Sequence, residues 1–315
     1  MPDIVVVGSL NMDLVARAPR IPAVGETILG DQYFAQPGGK GANQAYAAAR
    51  MGGNTAMIGC VGNDEFGVQL RSNLASVGCD IANVQIERCA TGVAVIFVSE
   101  TGQNSIVVVP GANSKLSPAH IVESKAHFSK AKSVLLQLET PIETVICAAR
   151  TARECGATVI LDPAPVTGGQ LPRELLCCID ILTPNEVEAA TLCGESSTQL
   201  DLRQAADIGM ALRELGVPTV LMKLGSQGCM LISDADPVLL PAKQVTAIDT
   251  TAAGDVFNGA LATALSEGKS LASACEFANR AAALSVTRPG AQAAIPNRAE
   301  VEAFRAPAMA QAVVS

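Results

Sequence analysis

The chain has 315 residues, of which 49% are hydrophobic, and a formal net charge of −8. This length allows one large domain or two smaller ones, and the apolar content is sufficient for a sizeable core. The acidic balance argues against nucleic acid and anionic membrane surfaces as partners.

The distribution of apolar residues and cysteines predicts a cytoplasmic protein. The sequence has no run of about 18 apolar residues that could span a membrane. Its first eight residues lack the basic flank and the long apolar region of a signal peptide. The ten cysteines are scattered without a CxxC pair, which is typical of free thiols in a reducing compartment.

Short β-branched runs alternate with Ala-rich amphipathic segments along most of the chain. In chain order, strands are predicted at 4–7, 55–61, 134–137, 158–161, 179–183 and 219–223. Helices are predicted at 42–51, 66–77, 142–155, 186–192, 202–215, 254–265 and 271–286. This alternation predicts a Rossmann-like α/β fold of three layers, with helices on both faces of a mainly parallel central sheet.

Two segments interrupt the alternation. Residues 10–36 have no helical period, and residues 91–109 form two β runs around a turn. Both segments predict a small β-sheet lid beside the main sheet, and such inserted flaps usually cover a ligand. We therefore expect three parts, which are an α/β domain (1–10, 42–90 and 110–305), a lid (11–41 with 91–109) and a C-terminal tail (306–315).

The strongest chemical signal is the run from Asp249 to Asp255, which precedes a predicted helix. Its small residues leave the N–H groups at the start of that helix open to an anion, which the helix dipole also favours. Beside them, Asp255 is suited to take a proton from a hydroxyl while those groups hold a phosphoryl group. A helix N-cap after an ordinary turn is the alternative explanation.

A glycine-rich run at 38–44 precedes the first predicted helix. Its glycines, among them Gly39, allow a ligand to approach the backbone closely, while Lys40 and Asn43 offer polar groups. The run is not a Walker A loop, because Phe34 stands where the first glycine is required. A plain strand-to-helix turn is the alternative.

Polar residues also follow predicted strands, where ligands bind in open α/β sheets. Asn11 and Asp13 lie two apart on an extended segment, so they point the same way and suit vicinal hydroxyls. Glu139 follows the strand at 134–137. Asn and Asp also favour turns, which is the structural alternative for this pair.

Two further motifs follow the strands at 179–183 and 219–223. Asn185 and Glu188 lie three apart at a helix start and could hold water around a Mg²⁺ ion. A capping box explains the same pair equally well. The Gly-rich turn at 223–228 is suited to pass under a nucleotide.

Together, the runs at 38–44, 183–188 and 249–255 resemble the ribokinase family of sugar and nucleoside kinases, which includes fructokinases and adenosine kinase. The resemblance extends over residues 3–305. It implies an enzyme that transfers phosphate from ATP to a small sugar, with the 5-hydroxyl of D-ribose as the expected acceptor and Asp255 as the general base. Kinases of deoxyribose, fructose or a nucleoside are alternatives, as is a sugar-binding regulator without catalysis.

The resemblance also implies the roles of individual residues. The anion hole consists of Ala252, Ala253 and Gly254. The sugar site consists of Asn11, Asp13, Gly39, Lys40, Asn43, Glu139 and Asp255. The nucleotide site consists of Asn185, Lys223, Gly225, Ser226, Gly228, Gly254 and Asn279. Mg²⁺ is expected at Glu188 through water, and K⁺ is expected at Asp249, Thr251, Ser285, Arg288 and Gly290.

Two residues depart from the family pattern. Ala294 stands where a hydroxyl residue is common near the K⁺ site, so that this ligand is lost or replaced by water. Lys223 stands where a small hydroxyl residue is frequent, which adds a cation near the phosphates. Neither change affects the proposed base.

The predicted lid has apolar residues on both faces, which are Val93, Val95, Ile96, Val107 and Val109. One face can cover the sugar, and the other can pair with a second lid. We therefore expect a homodimer joined through the lids, an arrangement that is also frequent in the family that the chain resembles.

Overall fold

The computed structural model describes residues 1–166, 169–196 and 199–305. The tail predicted at 306–315 lies outside the described residues. No helix in the described ranges is both long and apolar enough to cross a lipid bilayer.

The described chain contains strands and helices in frequent alternation. The strands are β1 (Ile4–Val7), β2 (Asn11–Ala18), β3 (Gln32–Gly38), β4 (Thr55–Gly62), β5 (Asp80–Glu87), β6 (Gly92–Ser99), β7 (Asn104–Val109), β8 (Ser133–Leu136), β9 (Thr158–Leu161), β10 (Ile181–Leu182), β11 (Thr219–Lys223), β12 (Gly228–Ile232) and β13 (Val238–Pro241). The helices are α1 (Lys40–Arg50), α2 (Glu65–Ser76), α3 (Pro118–Glu123), α4 (Lys125–Phe128), α5 (Ile142–Glu154), α6 (Arg173–Leu176), α7 (Glu186–Leu192), α8 (Leu202–Glu214), α9 (Ala253–Ser266), α10 (Leu271–Ser285) and α11 (Arg298–Ala303).

The large sheet has nine strands in the order β13-β12-β11-β10-β9-β8-β1-β4-β5. All pairs from β11 to β5 are parallel, whereas β12 and β13 run antiparallel at one edge. Alternate residues of β1 enter two separate cores: Val5 and Val7 belong to one, and Ile4 and Val6 to the other. Because the sheet is buried on both faces, the three-layer α/β fold is confirmed.

The small sheet has the strand order β3-β2-β6-β7. In it, β2 is antiparallel to β3 and parallel to β6, and β7 completes an antiparallel hairpin with β6. A smaller sheet beside the main one is therefore confirmed. Its strands fall within the two segments expected to form a lid, and the division of the chain into domains stays a prediction.

Helix α1 begins at Lys40, two residues before its predicted start. Gly39, the residue before it, has φ 87°, a conformation that glycine adopts at no steric cost. The helix start also lies directly against the end of β1, because a Cβ at Gly41 would be 2.6 Å from the Ser9 amide nitrogen. The glycine run therefore brings the start of α1 into close contact with the chain that leaves β1.

Candidate functional site

Five neighbouring strands, β11, β10, β9, β8 and β1, run parallel and end at the same edge of the large sheet. Polar residues at or just after their carboxyl ends are Lys223, Asn185, Asp162, Glu139 and Asn11. Ligands of open α/β sheets bind at such an edge. The order of the strands thus brings together residues that are far apart in the sequence.

Asp255 lies in the first turn of α9 and is 6% exposed. Its carboxylate accepts hydrogen bonds from Asn43 Nδ2 and Gln44 Nε2, both at 3.0 Å. Burial raises the pKa of Asp255 to about 6; Lys40 opposes this shift and Asp162 adds to it. A carboxylate with a pKa near neutrality that is held in place by two amides is suited to act as a general base.

The residues before Asp255 form the start of α9. Ala252 has φ 61°, which turns the chain into the helix. Ala253 N–H donates to Thr250 O at 3.2 Å, whereas the amides of Ala252, Gly254 and Asp255 have no backbone acceptor among the described residues. The helix start therefore presents unpaired N–H groups, as an anion site requires, although Ala253 is not one of them.

Lys223 lies close to these amides. A Cβ added to Gly254 would lie 3.3 Å from Lys223 Nζ. The Lys223 ammonium also donates to Asp162 Oδ1 at 2.9 Å. A cation therefore stands beside the helix start, within reach of an anion bound there.

Lys40 is the second cation of the site. Burial alone would lower its pKa, but the carboxylates of Asp255, Asp162, Glu139 and Glu188 raise the pKa above its ordinary value. Lys40 therefore remains charged and offsets part of the negative charge that these four groups place in the crevice.

Glu139 and Asp13 belong to the side of the crevice nearer the small sheet. Glu139 Oε2 accepts hydrogen bonds from Ser9 Oγ and from Lys40 N–H, the latter at 3.2 Å. Burial, together with the charges of Glu139 and Asp255, raises the pKa of Asp13 to about 7. Asp13 therefore lies within electrostatic reach of both Glu139 and Asp255.

A buried hydrogen-bond network that was not expected from the sequence supports the base. Gln44 Nε2 donates both to Asp255 and, at 2.9 Å, to Asp162 Oδ2, while Gln44 Oε1 accepts from Gln137 Nε2 at 2.6 Å. Since Asp162 also holds Lys223, it connects the base with the cation at the helix start. Asp162 directly follows a predicted strand and Gln44 lies in the glycine run, so the sequence did contain a signal for both.

Asn43 has a second partner that was not expected. Its Oδ1 accepts from Gln292 Nε2 at 2.9 Å, while its Nδ2 donates to Asp255. Gln292 lies in the short 3₁₀ segment Gln292–Ala294, far from Asn43 in sequence. This contact fixes which end of the Asn43 amide faces the base.

A cavity of about 220 Å³, which we call the side cavity, opens next to the start of α9. Of the residues predicted for the nucleotide, Gly225, Ser226 and Asn279 line it. Gly228 is structural, because a Cβ there would be 2.2 Å from Leu240 O. The side cavity is large enough and apolar enough for a purine ring.

Asn185 and Glu188 form the capping box that was the structural alternative for this pair. Asn185 N–H donates to Glu188 Oε2 and Glu188 N–H to Asn185 Oδ1, both at 2.8 Å. Burial raises the pKa of Glu188, although Lys223 opposes the shift. Although Glu188 caps the helix, its carboxylate still interacts electrostatically with Lys223 and Lys40. Asn185 and Glu188 therefore also belong to the crevice.

Asp249 joins two segments beside the start of α9. Its carboxylate accepts from Thr251 N–H at 2.9 Å and from Gly290 N–H at 2.8 Å. Burial opposes ionisation, but these hydrogen bonds lower the pKa of Asp249. The other two residues predicted for the K⁺ site use their side chains elsewhere: Arg288 bonds to Glu300, and Ser285 Oγ donates to Ala282 O. Only their backbone carbonyl groups are therefore left for a cation.

The chain is similar to known proteins in both sequence and structure. A profile described as "pfkB family carbohydrate kinase" matches residues 1–298. A protein of Haemophilus influenzae named ribokinase is 42% identical over 300 residues, which cover 95% of this chain and 97% of that protein. The structure of Arabidopsis thaliana ribokinase complexed with ribose and ATP has a TM-score of 0.89 and 36% identity, and that of Thermotoga maritima ribokinase has 0.87 and 40%. Each covers 96% of this chain and 99% of that chain.

Proposed function

The chain belongs to the pfkB family of carbohydrate kinases, and from this premise we propose that it transfers the γ-phosphoryl group of ATP to the 5-hydroxyl of D-ribose. The observation that carries the proposal is a buried carboxylate, Asp255, beside unpaired amides at a helix start. The relatives named ribokinase, and the Arabidopsis complex with ribose and ATP, support the choice of these two substrates.

In the proposed reaction, Asp255 takes the proton of the 5-hydroxyl as its oxygen attacks the γ-phosphorus. The bond from that phosphorus to the oxygen that bridges the β- and γ-phosphates breaks, and ADP leaves with the electron pair. The amides of Ala252 and Gly254 donate to the phosphoryl oxygens, and Lys223 offsets their charge. Most of the catalysis is then positioning and charge stabilisation.

The sugar lies between the small sheet and α1 in this proposal. Asn11, Asp13 and Glu139 bind its hydroxyl groups, since they surround Asp255 and belong to the crevice. The remaining contacts come from the start of α1, through Gly39, Lys40 and Asn43. The purine ring of ATP occupies the side cavity, next to Gly225, Ser226 and Asn279.

Mg²⁺ bound to ATP would neutralise phosphate charge. Among the described residues, no group of three or more His, Cys, Asp or Glu side chains could hold a metal ion. The protein therefore fits an ion held mainly by phosphates and water, with Glu188 as the nearby carboxylate.

K⁺ is proposed beside the start of α9. Asp249 supplies one carboxylate there, and Thr251, Ser285, Arg288 and Gly290 supply backbone carbonyls. A single negative charge among neutral oxygens suits a monovalent cation. The hydrogen bonds from Thr251 and Gly290 to Asp249 hold the two segments together around that position.

We also propose a cytoplasmic homodimer joined through the small sheets. Strand β7 is exposed along its whole length, with Ile106 52%, Val107 58% and Val109 49% exposed. So many apolar side chains on one edge strand are typical of a surface that another protein covers. Two identical sheets related by a twofold axis would bury them symmetrically.

Replacement of the base tests the reaction. We expect Asp255→Asn to lower kcat with ribose and ATP by at least about 10²-fold, because an amide cannot accept the proton. Asp236→Asn, the same chemical change on an exposed loop residue, is the matched control and should leave kcat unchanged. A fully active Asp255→Asn protein would falsify the assignment of the base.

A substrate panel tests the acceptor. Ribose, deoxyribose, fructose and adenosine are compared by kcat/KM with ATP, with and without K⁺. We expect ribose to give the highest value, and a higher value for the nucleoside would overturn that choice. Tight sugar binding in calorimetry without phosphate transfer would instead favour a non-catalytic regulator.

A further inference from the structure

Within residues 1–166, 169–196 and 199–305, the chain crosses between the large and small sheets at four places, and all four meet around Asn11. The first crossing runs from β1 into β2 through Leu10. A Cβ at Gly39, between β3 and α1, would lie 2.6 Å from the Asn11 amide nitrogen, and a Cβ at Gly92, where β6 begins, would lie 2.2 Å from Asn11 Oδ1. The fourth crossing, after β7, leads to Asn113. Asn11 is therefore enclosed by every segment that joins the two sheets.

Asn113 lies in the 3₁₀ segment Gly111–Lys115 and is 1% exposed. Its Oδ1 accepts a hydrogen bond from Leu10 N–H at 2.9 Å. Its Nδ2 donates to Leu10 O at 3.1 Å and to Asn11 Oδ1 at 2.8 Å. A single side chain thus satisfies both backbone groups of Leu10 and one end of the Asn11 side chain.

These contacts determine which way the Asn11 amide faces. Leu10 N–H requires an acceptor, so the oxygen of Asn113 must face Leu10 N and its nitrogen must face Asn11. That nitrogen can only donate, so Asn11 must turn Oδ1 toward Asn113 and Nδ2 away from it. Within the described residues Asn11 Nδ2 has no hydrogen-bond partner, although the residue is only 3% exposed.

We propose that Asn113 is a positioning residue, which holds Asn11 so that its Nδ2 donates to an oxygen of the bound sugar. The inference rests on the proposed function, in which Asn11 contacts the sugar. Asn113 itself is placed behind Asn11 and acts only through it. Because the same side chain ties the chain entering the small sheet to the chain leaving it, the orientation of Asn11 also depends on how that sheet meets the core.

Asn113→Asp tests the orientation directly. One oxygen of the new carboxylate can still accept from Leu10 N–H. The second oxygen takes the place of Asn113 Nδ2, the donor that faces Asn11. Asn11 then turns Nδ2 toward the new carboxylate and presents Oδ1 to the sugar. We expect the Kd for the sugar to rise about tenfold or more, the scale of one lost polar contact, while the Kd for ATP changes less than about twofold.

The control for the added charge is Ser114→Asp. Ser114 is the next residue along the chain and is exposed, so this variant adds the same charge on the surface. It should bind the sugar as the wild-type protein does. A folded Asn113→Asp protein with an unchanged Kd for the sugar would overturn the proposal.

A double-mutant cycle separates positioning from general structural support. In an Asn11→Ala background the amide to be oriented is absent, so adding Asn113→Asp should not weaken sugar binding further. Independent, additive losses would contradict the proposal. If Asn113→Asp does not fold, Asn113→Ala takes its place in the same cycle, with the same expected lack of additivity.

Calorimetry without ATP, with the sugar of the panel that the wild-type protein binds most tightly, provides the readout. Phosphate transfer is measured separately on the same samples. Binding without transfer would contradict the proposed reaction and still report on Asn113. The double-mutant cycle between Asn11 and Asn113 therefore tests the positioning role whether or not the protein transfers phosphate.

Discussion

Asp255 must be ionised to accept a proton, and burial raises its pKa to about 6. The protonated form is inactive as a base, so activity is retained above this pKa and lost below it. We expect kcat/KM to fall about tenfold per pH unit as the pH drops below about 6. A pH–rate profile with ribose and ATP measures this limb, and a profile that stays flat down to pH 4.5 would exclude Asp255 as the base.

Asp162→Asn tests the cause of that shift. The negative charge of Asp162 raises the pKa of Asp255, so its removal should move the acidic limb to lower pH. The amide keeps the shape of the side chain and its oxygen can still accept a hydrogen bond from Lys223, whereas its nitrogen cannot accept the one that Gln44 donates to Asp162. If a folded Asp162→Asn protein loses activity at the same acidic pH as the wild-type protein, then Asp162 does not act on the base through its charge.

Most of the charged residues of the site were identified from the sequence, but Asp162 and the orienting amides of Gln44 and Asn113 were missed. Asp255 and Asn43 lie in short runs whose local pattern is informative. The role of Gln44 depends on contacts with Asp162 and Asp255, which are more than a hundred residues away in the chain. Asn113 is similarly distant from Leu10 and Asn11. Such pairings follow from the order of strands in the sheet, which residue patterns do not specify.

At the scale of elements, the start of α9 depends on one unusual backbone conformation. Ala252 has φ 61°, where a residue with a Cβ loses roughly 1–2 kcal/mol. We expect Ala252→Gly to keep activity and to raise the free energy of unfolding by up to about 1 kcal/mol, because the strain outweighs the extra entropy of the unfolded chain. Denaturant unfolding measures the change.

Ala252→Val is the opposing variant at the same position. A β-branched side chain is poorly tolerated in this backbone region, so we expect a loss of about 2 kcal/mol and a lower kcat as the amides shift. Equal stability of the glycine, alanine and valine proteins would mean that the left-handed conformation at residue 252 does not exist in solution.

The elements that could be predicted are those buried on both faces. β1, β8, β9 and β11 are short apolar runs, and a doubly covered parallel strand produces that pattern. β5 was missed because half of its residues are polar and all but one of its residues are partly or fully exposed at the sheet edge. The antiparallel pair β12–β13 was missed too, since the Gly-rich turn before it indicated a ligand rather than a reversal of the chain.

For the whole molecule, the apolar strand β7 predicts self-association. We expect Ile106→Asp combined with Val107→Asp, which charges both faces of the small sheet, to convert a dimer into a monomer. Val122→Asp, at a residue 64% exposed on α3, is the control and should leave the dimer intact. Sedimentation at micromolar concentration checks all three proteins, and a monomeric wild-type protein would contradict the proposed dimer.

The side cavity would offer a purine a wall of small aliphatic side chains, which are Ala242, Val245, Ala247, Ala282, Ala283 and Val286, beside the polar residues Ser226, Lys243, Gln244, Thr250 and Asn279. Aliphatic side chains contact the two apolar faces of a flat ring and do not distinguish one purine from another. Discrimination between adenine and guanine requires hydrogen bonds to the edge of the ring. The amide nitrogen of Asn279 already donates to Leu240 O at 2.8 Å. We therefore expect GTP to support the reaction with a kcat/KM within about tenfold of that for ATP, so that the donor used in a cell follows the supply of purine triphosphates.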